Sequence, residues 1–162
     1  MYLLAEDKYI VAMDSIDRRI VALLQDHARR TYQELGEGVG LSPAAAYQRV
    51  RKLEESGVIL GYHARIAPDA VGSWVEAFLR LEPSGETELR RLLDSWGSAR
   101  RVEGCYRTVS GSVLVRVRVG SLADLEPYVA AARDAGCAVH ADIVSATIVE
   151  RWTLPVDAGD QP

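Results

Sequence analysis

One stretch, Thr31 to Tyr62 (TYQELGEGVGLSPAAAYQRVRKLEESGVILGY), constrains this chain more than any other. Thr31 and Glu34 stand in the T-x-x-E spacing of a capping box, so a helix is expected from Tyr32. Leu35 and Val39 give that helix an apolar stripe at i, i+4. Gly36 is small where a second helix must cross closely, and Gly40 sits where the chain has to turn. Ser42-Pro43 opens the next helix, with serine as N-cap and proline at the first helical position. Ala46, Val50 and Leu53, at i, i+4, i+7, form its inward face, and Ala44, Ala45, Gln48, Arg49, Arg51 and Lys52 its outward face. Gly57 closes it as a left-handed cap, and a strand-like run follows. Two short helices about a small-residue turn, the second basic outward, make a helix-turn-helix pattern. An ordinary helical hairpin with a solvated basic face is the alternative that spacing alone leaves open.

A helix-turn-helix implies DNA, yet the chain is acidic, with net charge −4 and pI about 5.4. Binding to DNA must therefore come from a local basic patch and not from a global field. A hydrophobic content of 48% with 26% charged residues fits a soluble globular protein. No run approaches the ~20 apolar residues of a membrane helix, and Glu6, Asp7 and Lys8 interrupt the apolar N-terminus that a signal peptide needs. Cys105 and Cys137 lack metal spacing and lie among apolar residues, so both are expected as free buried thiols in a reducing, cytoplasmic compartment.

The remaining segments assemble around this core. Tyr9-Ile10-Val11-Ala12 is a short β-prone run. Asp14 reads as the N-cap of a helix bearing Ile16, Ile20, Leu23 and Leu24, packed behind the helix-turn-helix. Three such helices bury little apolar surface, so this unit is expected to lean on a partner. Val58 to Ile66 reads as extended chain, and Ala67-Pro68-Asp69 as a turn.

From Ser73 strands alternate with helices. Trp74–Glu82 alternates as a strand, and Leu89, Leu92, Leu93 and Trp96 have helical spacing. Arg101–Val109 is a strand, Ser110-Gly111-Ser112 a hairpin turn, and Val113, Val115, Val117 and Val119 line the next strand. Ser121 and Asp124 read as the capping start of a helix ended by Gly136, and Ala146–Trp152 as the last strand. The order β-α-β-β-α-β is the ferredoxin-like arrangement. Its sheet carries helices on one face only, so the partly apolar other face calls for sheet-to-sheet dimerisation. The fold expected is α+β: a three-helix helix-turn-helix domain over 14–62, a linker over 63–72, a ferredoxin-like βαββαβ domain over 73–152, and terminal extensions over 1–13 and 153–162, the latter loose.

Asp14 to Trp152 resembles the Lrp/AsnC (feast/famine) family of transcription regulators. Ile16-Asp17-Arg18, Val39 to Pro43, Arg49-Val50-Arg51-Lys52-Leu53-Glu54, Gly57-Val58-Ile59 and Gly61-Tyr62 carry the resemblance in the first half, and Val102-Glu103-Gly104-Cys105-Tyr106 with Gly111 in the second. It implies double-stranded DNA as partner, a homodimer or higher homo-oligomer, and a small-molecule effector, an amino acid or other metabolite, bound between subunits. It also implies a DNA site of Thr31, Ser42, Pro43, Ala44, Ala45, Tyr47, Gln48, Arg49, Arg51 and Lys52. Arg49, Arg51 and Lys52 are suited to phosphates or bases, and Gln48 to adenine. Tyr47 suits either the DNA backbone or the core, and Thr31 either a phosphate at the helix N-terminus or its capping role. Ala44 and Ala45 offer methyls where relatives place hydroxyls, so DNA bending is expected to share in recognition. The effector site implied is the hairpin, Thr108, Ser110, Gly111 and Ser112. The family's hairpin reads Gly-acid-Tyr-Asp, whereas Ser110-Gly111-Ser112-Val113 has no carboxylate. The effector is accordingly not expected to be a simple zwitterionic amino acid held as in relatives.

An enzyme on the same scaffold, similar to the haem-precursor decarboxylases, would need Arg116, Arg118 and His140 to converge on the sheet. His27, His63 and His140 show no metal spacing, and no phosphate loop or nucleophile elbow is present. A non-enzymatic regulator without cofactor or metal is the reading that follows. A ligand-sensing module without DNA binding is the third.

Overall fold

The computed structural model describes residues 13–97, 99 and 101–156. The β-prone run at 9–12 and residues 157–162 lie outside them. The chain divides into two compact units, one of residues up to Ala64 joined by Glu150 onward, the other Arg65–Val149.

Among its described residues the first unit has three helices. Asp14 caps α1 (Ser15–Asp26), its side chain accepting from Asp17 N–H at 2.7 Å. At α2 (Tyr32–Val39) the capping box is complete: Thr31 N–H donates to Glu34 Oε2 at 2.7 Å, and Glu34 N–H to Thr31 Oγ1 at 3.2 Å. These bonds, the backbone N–H of Thr31 first and its hydroxyl second, hold the Glu34 carboxyl below its ordinary pKa. Gly36 is needed by the turn and not by a crossing helix, because a Cβ there would lie 2.5 Å from the Leu41 carbonyl oxygen. Gly40 ends α2 in the left-handed conformation. Ser42 caps α3 (Pro43–Glu55) by accepting from Ala45 N–H at 3.2 Å. Ile20, Leu24, Leu35, Ala46, Val50 and Leu53 close the core, and Val58 and Ile59 pack against it. From Leu60 to Ala67 the chain enters no ladder among the described residues, so the strand expected after α3 is not found there.

Within the C-terminal extension, Leu154 is tied to α1. Gln25 on α1 pairs with the backbone of Leu154 as a neighbouring strand would, donating from Nε2 to the carbonyl at 3.1 Å and accepting from the N–H at 2.6 Å.

The second unit is a four-stranded antiparallel sheet, order β2-β3-β1-β4, with α4 and α5 on one face. Its elements are β1 (Val75–Pro83), α4 (Glu86–Gly97), β2 (Val102–Arg107), β3 (Val113–Val119), α5 (Glu126–Asp134) and β4 (Cys137–Ile143). Ala77, Leu79, Leu81 and the four valines of β3 are buried against Leu89, Leu92, Trp96, Leu125, Val129 and Ala132. Burying each large side chain contributes roughly 1.5–3 kcal/mol, and the strict alternation of β3 concentrates that gain on one face.

Three expectations are corrected here. The last strand is Cys137–Ile143 and not Ala146–Trp152, because β1 offers its free edge to Cys137–Ile143, with Pro83 opposite Cys137 and Ala77 opposite Ile143. Ser121 and Asp124 do bond each other, Asp124 N–H reaching Ser121 Oγ at 3.3 Å, but they cap a turn and the helix starts at Glu126. Cys137 is buried as expected, whereas Cys105, on edge strand β2, is exposed.

Candidate nucleic-acid interface and effector cavity

Helical geometry sorts the residues of α3. Ala44, Tyr47, Gln48, Arg51 and Lys52 are exposed and, three and four residues apart, share one face. Ser42 and Pro43 are exposed at its N-terminal end, with Ala45 half-buried beside them. The N–H groups of the first turn point out of that end, where backbone dipoles favour an anion. Thr31, at the start of α2, is also exposed, although its hydroxyl already serves the capping box.

Arg49 stands apart from the other cations. Its Nη1 lies 2.5 Å from Asp14 Oδ2 and 2.8 Å from Asp17 Oδ1, tying α3 to α1. Asp17 is nearly buried, so Arg49 satisfies a carboxylate that packing has drawn out of water. The Asp14 carboxyl is held below its ordinary pKa, first by the Asp17 N–H and then by Arg49. The sequence grouping of Arg49 with Arg51 and Lys52 thus separates in space.

Two aromatic rings steady the exposed face. Tyr32 and Tyr47 meet edge to face, centroids 5.1 Å apart and planes at 82°, which fixes α2 against α3 at the surface. Tyr47 is part-exposed there and absent from the core cluster. Arg51 Nε donates to Glu55 Oε1 at 2.7 Å one turn on. Tyr62 OH donates to Glu54 Oε1 at 2.9 Å and anchors the chain leaving α3. Burial first, and that bond second, push the Tyr62 phenol up to about 12.

In the second unit, the β2–β3 hairpin closes by Thr108 N–H to the Ser112 carbonyl at 2.9 Å. Gly111 has φ +91°, a conformation that side chains other than glycine's rarely accept. Thr108 Oγ1 lies 2.8 Å from both Ser110 Oγ and Ser112 Oγ, so three hydroxyls gather at one point. All four residues expected at the effector site line a cavity of about 670 Å³. Sequence reasoning missed its other wall: Arg80, Glu82 and Pro83 of β1, with Leu114 of β3. The signal was present, since Arg80 and Glu82 alternate with buried Leu79 and Leu81 and therefore face away from the helices. The hairpin has no carboxylate, but Glu82 brings one to the same cavity.

Further along that sheet face, Glu76 accepts from Arg116 Nε and Arg118 Nη2, each at 2.7 Å, and Glu103 accepts from Arg118 Nε at 2.9 Å. The arginines an enzyme would need as free cations are thus paired with carboxylates. His140, opposite Arg80 on β4, is exposed. Among the described residues, no cluster of His, Cys, Asp or Glu could hold a metal ion, and no helix is long and apolar enough to cross a membrane.

Residues 13–54 match the AsnC-type helix-turn-helix domain. The HTH-type transcriptional regulator LrpA of Mycobacterium tuberculosis is 40% identical over 117 residues, 71% of this chain and 77% of that protein. The crystal structure of the leucine response regulatory protein (LrpA) of M. tuberculosis superposes with TM-score 0.77 at 34% identity, covering 88% of this chain and 100% of the other. The feast or famine regulatory protein of M. tuberculosis, in its complex with L-methionine, superposes with TM-score 0.80 at 33% identity, covering 88% and 99%.

Proposed function

The chain belongs to the Lrp/AsnC family of DNA-binding transcriptional regulators, and on that footing we propose how its two units divide the work. The helical unit reads DNA, with α3 in the major groove of a pseudo-palindromic site and the N-terminal ends of α2 and α3, at Thr31 and Ser42-Pro43, against phosphates. One observation carries this reading: the exposed face of α3 holds Ala44, Tyr47, Gln48, Arg51 and Lys52 together, while its opposite face is spent on the core. That mixture of methyl, amide, phenol and cation suits base edges and phosphates alike. The work is binding and needs no cofactor. A regulator of this kind acts where the DNA is, in the cytoplasm.

The sheet unit senses and assembles. Its helix-free face presents Phe78, Leu114 and Tyr106 around the Glu76–Arg116–Arg118–Glu103 network, a patterned surface suited to a second copy of the chain. Dimers, or rings of dimers, place two α3 helices on two half-sites. The cavity beside the hairpin takes the effector. Arg80 and Glu82 flank it with opposite charges, and the three hydroxyls supply neutral donors and acceptors. The complement is that of a zwitterionic α-amino acid, with Glu82 for the ammonium group and Arg80 for the carboxylate, and a relative of 33% identity forms a complex with L-methionine.

The test is a mobility-shift titration on DNA flanking the protein's own gene, with and without a panel of amino acids. Retarded bands whose midpoint moves with one amino acid support both halves of the reading. Absence of any shift at low salt removes the DNA half. Light scattering of dilute protein at a single 17.8 kDa species would remove the oligomer.

A further inference from the structure

We propose that Arg51 reads a guanine in each half-site, with Glu55 as its positioning residue and Lys52 serving the phosphates; this rests on the placement of α3 in the major groove. Three neighbours could compete for the role, and the geometry disposes of each. Arg49 is committed to Asp14 and Asp17 on α1. Arg30 is committed to Asp26 and to the Leu23 carbonyl. Lys52 is exposed, but an ammonium is a point charge on a flexible stem and lacks the planar fork that fits two acceptors at once.

Arg51 has that fork, and the helix aims it. Nε donates to Glu55, and the guanidinium also bonds the Tyr47 side chain, a contact that its terminal N–H groups share with or yield to the two acceptors of a base. Guanine shows two acceptors, O6 and N7, side by side in the major groove, the pattern two parallel N–H groups match. Tyr47 stands one turn before Arg51 and is itself held by Tyr32, so the guanidinium lies between a fixed ring on one side and a carboxylate on the other. An arginine restrained in this way loses less rotamer freedom on binding than a free one. The first turn helps by being small: with only the Ala44 and Ala45 methyls, α3 can approach the groove floor closely enough for a third-turn side chain to reach base edges. Glu55 also sets the charge pattern. A carboxylate beside the guanidinium discourages a purely phosphate-directed pose and favours the desolvated, base-facing one.

The experiment is selection of double-stranded DNA from a random library by the full-length protein and by R51K, R51A and E55Q variants, followed by affinity measurements on the enriched site. Arg51→Lys keeps the charge and so keeps a phosphate contact, but it loses the fork. Expected are a guanine enriched at one position per half-site with wild type, its loss with R51K and R51A, and its weakening with E55Q. Replacing that guanine by 7-deazaguanine, which lacks the N7 acceptor, should weaken wild type at least about fivefold and R51K less than twofold, as a bidentate pair contributes that much discrimination. Retention of the guanine preference by R51K, or indifference of wild type to 7-deazaguanine, overturns the assignment while leaving DNA binding intact. Failure of wild type to enrich any sequence overturns the DNA reading itself.

Discussion

Arg49 on α3 donates to Asp17 on α1 across 2.8 Å, and Asp17 is the most buried carboxylate among the described residues of the helical unit. The pair fixes the angle at which the recognition helix stands on its support. Arg49→Ala leaves Asp17 without its cation inside the fold. Arg49 is one third exposed, so the cost falls between the ~0–1 kcal/mol of a surface pair and the ~3–5 kcal/mol of breaking a buried one; about 1–2 kcal/mol is expected. Chemical denaturation reads it. Asp17→Asn in the same chain should recover part of the loss, and failure to do so would indicate that the pair is idle. The pH dependence follows from Asp14, whose carboxyl is held below the ordinary 3.8. A lowered carboxylate stabilises the fold above its unfolded value and loses that effect as pH falls through the folded one. Wild type should therefore lose stability below about pH 4, and R49A should lose less over the same range.

Lys52 is expected to act through phosphate alone. Lys52→Ala should weaken binding to all sequences and reduce the salt slope of log K by about one for each subunit engaged, since one phosphate contact gives a slope near −0.9. Fluorescence anisotropy over a salt series measures it. An unchanged slope would remove Lys52 from the interface.

How far the sequence disclosed these features depended on whether the determinant was local. The Thr31–Glu34 box, the Ser42-Pro43 start and the Ala46-Val50-Leu53 stripe are decided within one or two turns of helix, and the structure has all three. Ala146–Trp152 has the β-branched content of a strand, yet propensity does not choose a pairing partner, and it is Cys137–Ile143 that pairs with β1. Arg49 looked like its neighbours because nothing in the spacing of α3 announces Asp17, 32 residues away. The cavity was half legible for the same reason. Its hairpin is one contiguous run, but Arg80 and Glu82 arrive through strand pairing, Arg80 opposite Leu114. Long-range pairing, and not propensity, is the information that was missing.

Tyr62 should titrate late. Its phenol is pushed up to about 12 by burial and by the bond to Glu54. A raised acid favours the fold while it keeps its proton, so the contribution is fully present below pH 10 and is lost as pH rises from 10 towards 12. Ultraviolet difference titration should show a late phenol that is lost in Y62F. Glu54→Gln should lower its midpoint only in part, because burial is the larger cause. A midpoint near 10 in wild type would mean that Tyr62 leaves α3 free in solution.

The last prediction concerns the charge pair of the cavity. With no carboxylate on the hairpin, an effector's ammonium group is expected to pair with Glu82 in the cavity wall, and its carboxylate with Arg80. A charge-assisted hydrogen bond contributes roughly 1.5–3 kcal/mol, so Glu82→Gln should lower amino-acid affinity by about tenfold or more, and Arg80→Gln by a similar factor. Arg80 is already near Asp142, at 4.0 Å, and must exchange that loose contact for the ligand. The two substitutions should be strongly non-additive only if they hold one molecule, since a ligand released at one end gains little from the other. Calorimetry against the standard amino acids measures both single variants and the double variant. A des-amino analogue separates the roles further: it should lose affinity for wild type and be indifferent to Glu82→Gln. Tight amino-acid binding that survives both substitutions would place the effector elsewhere in the molecule, and binding of the des-amino analogue alone would return the cavity to an anionic ligand held by Arg80 and the three hydroxyls.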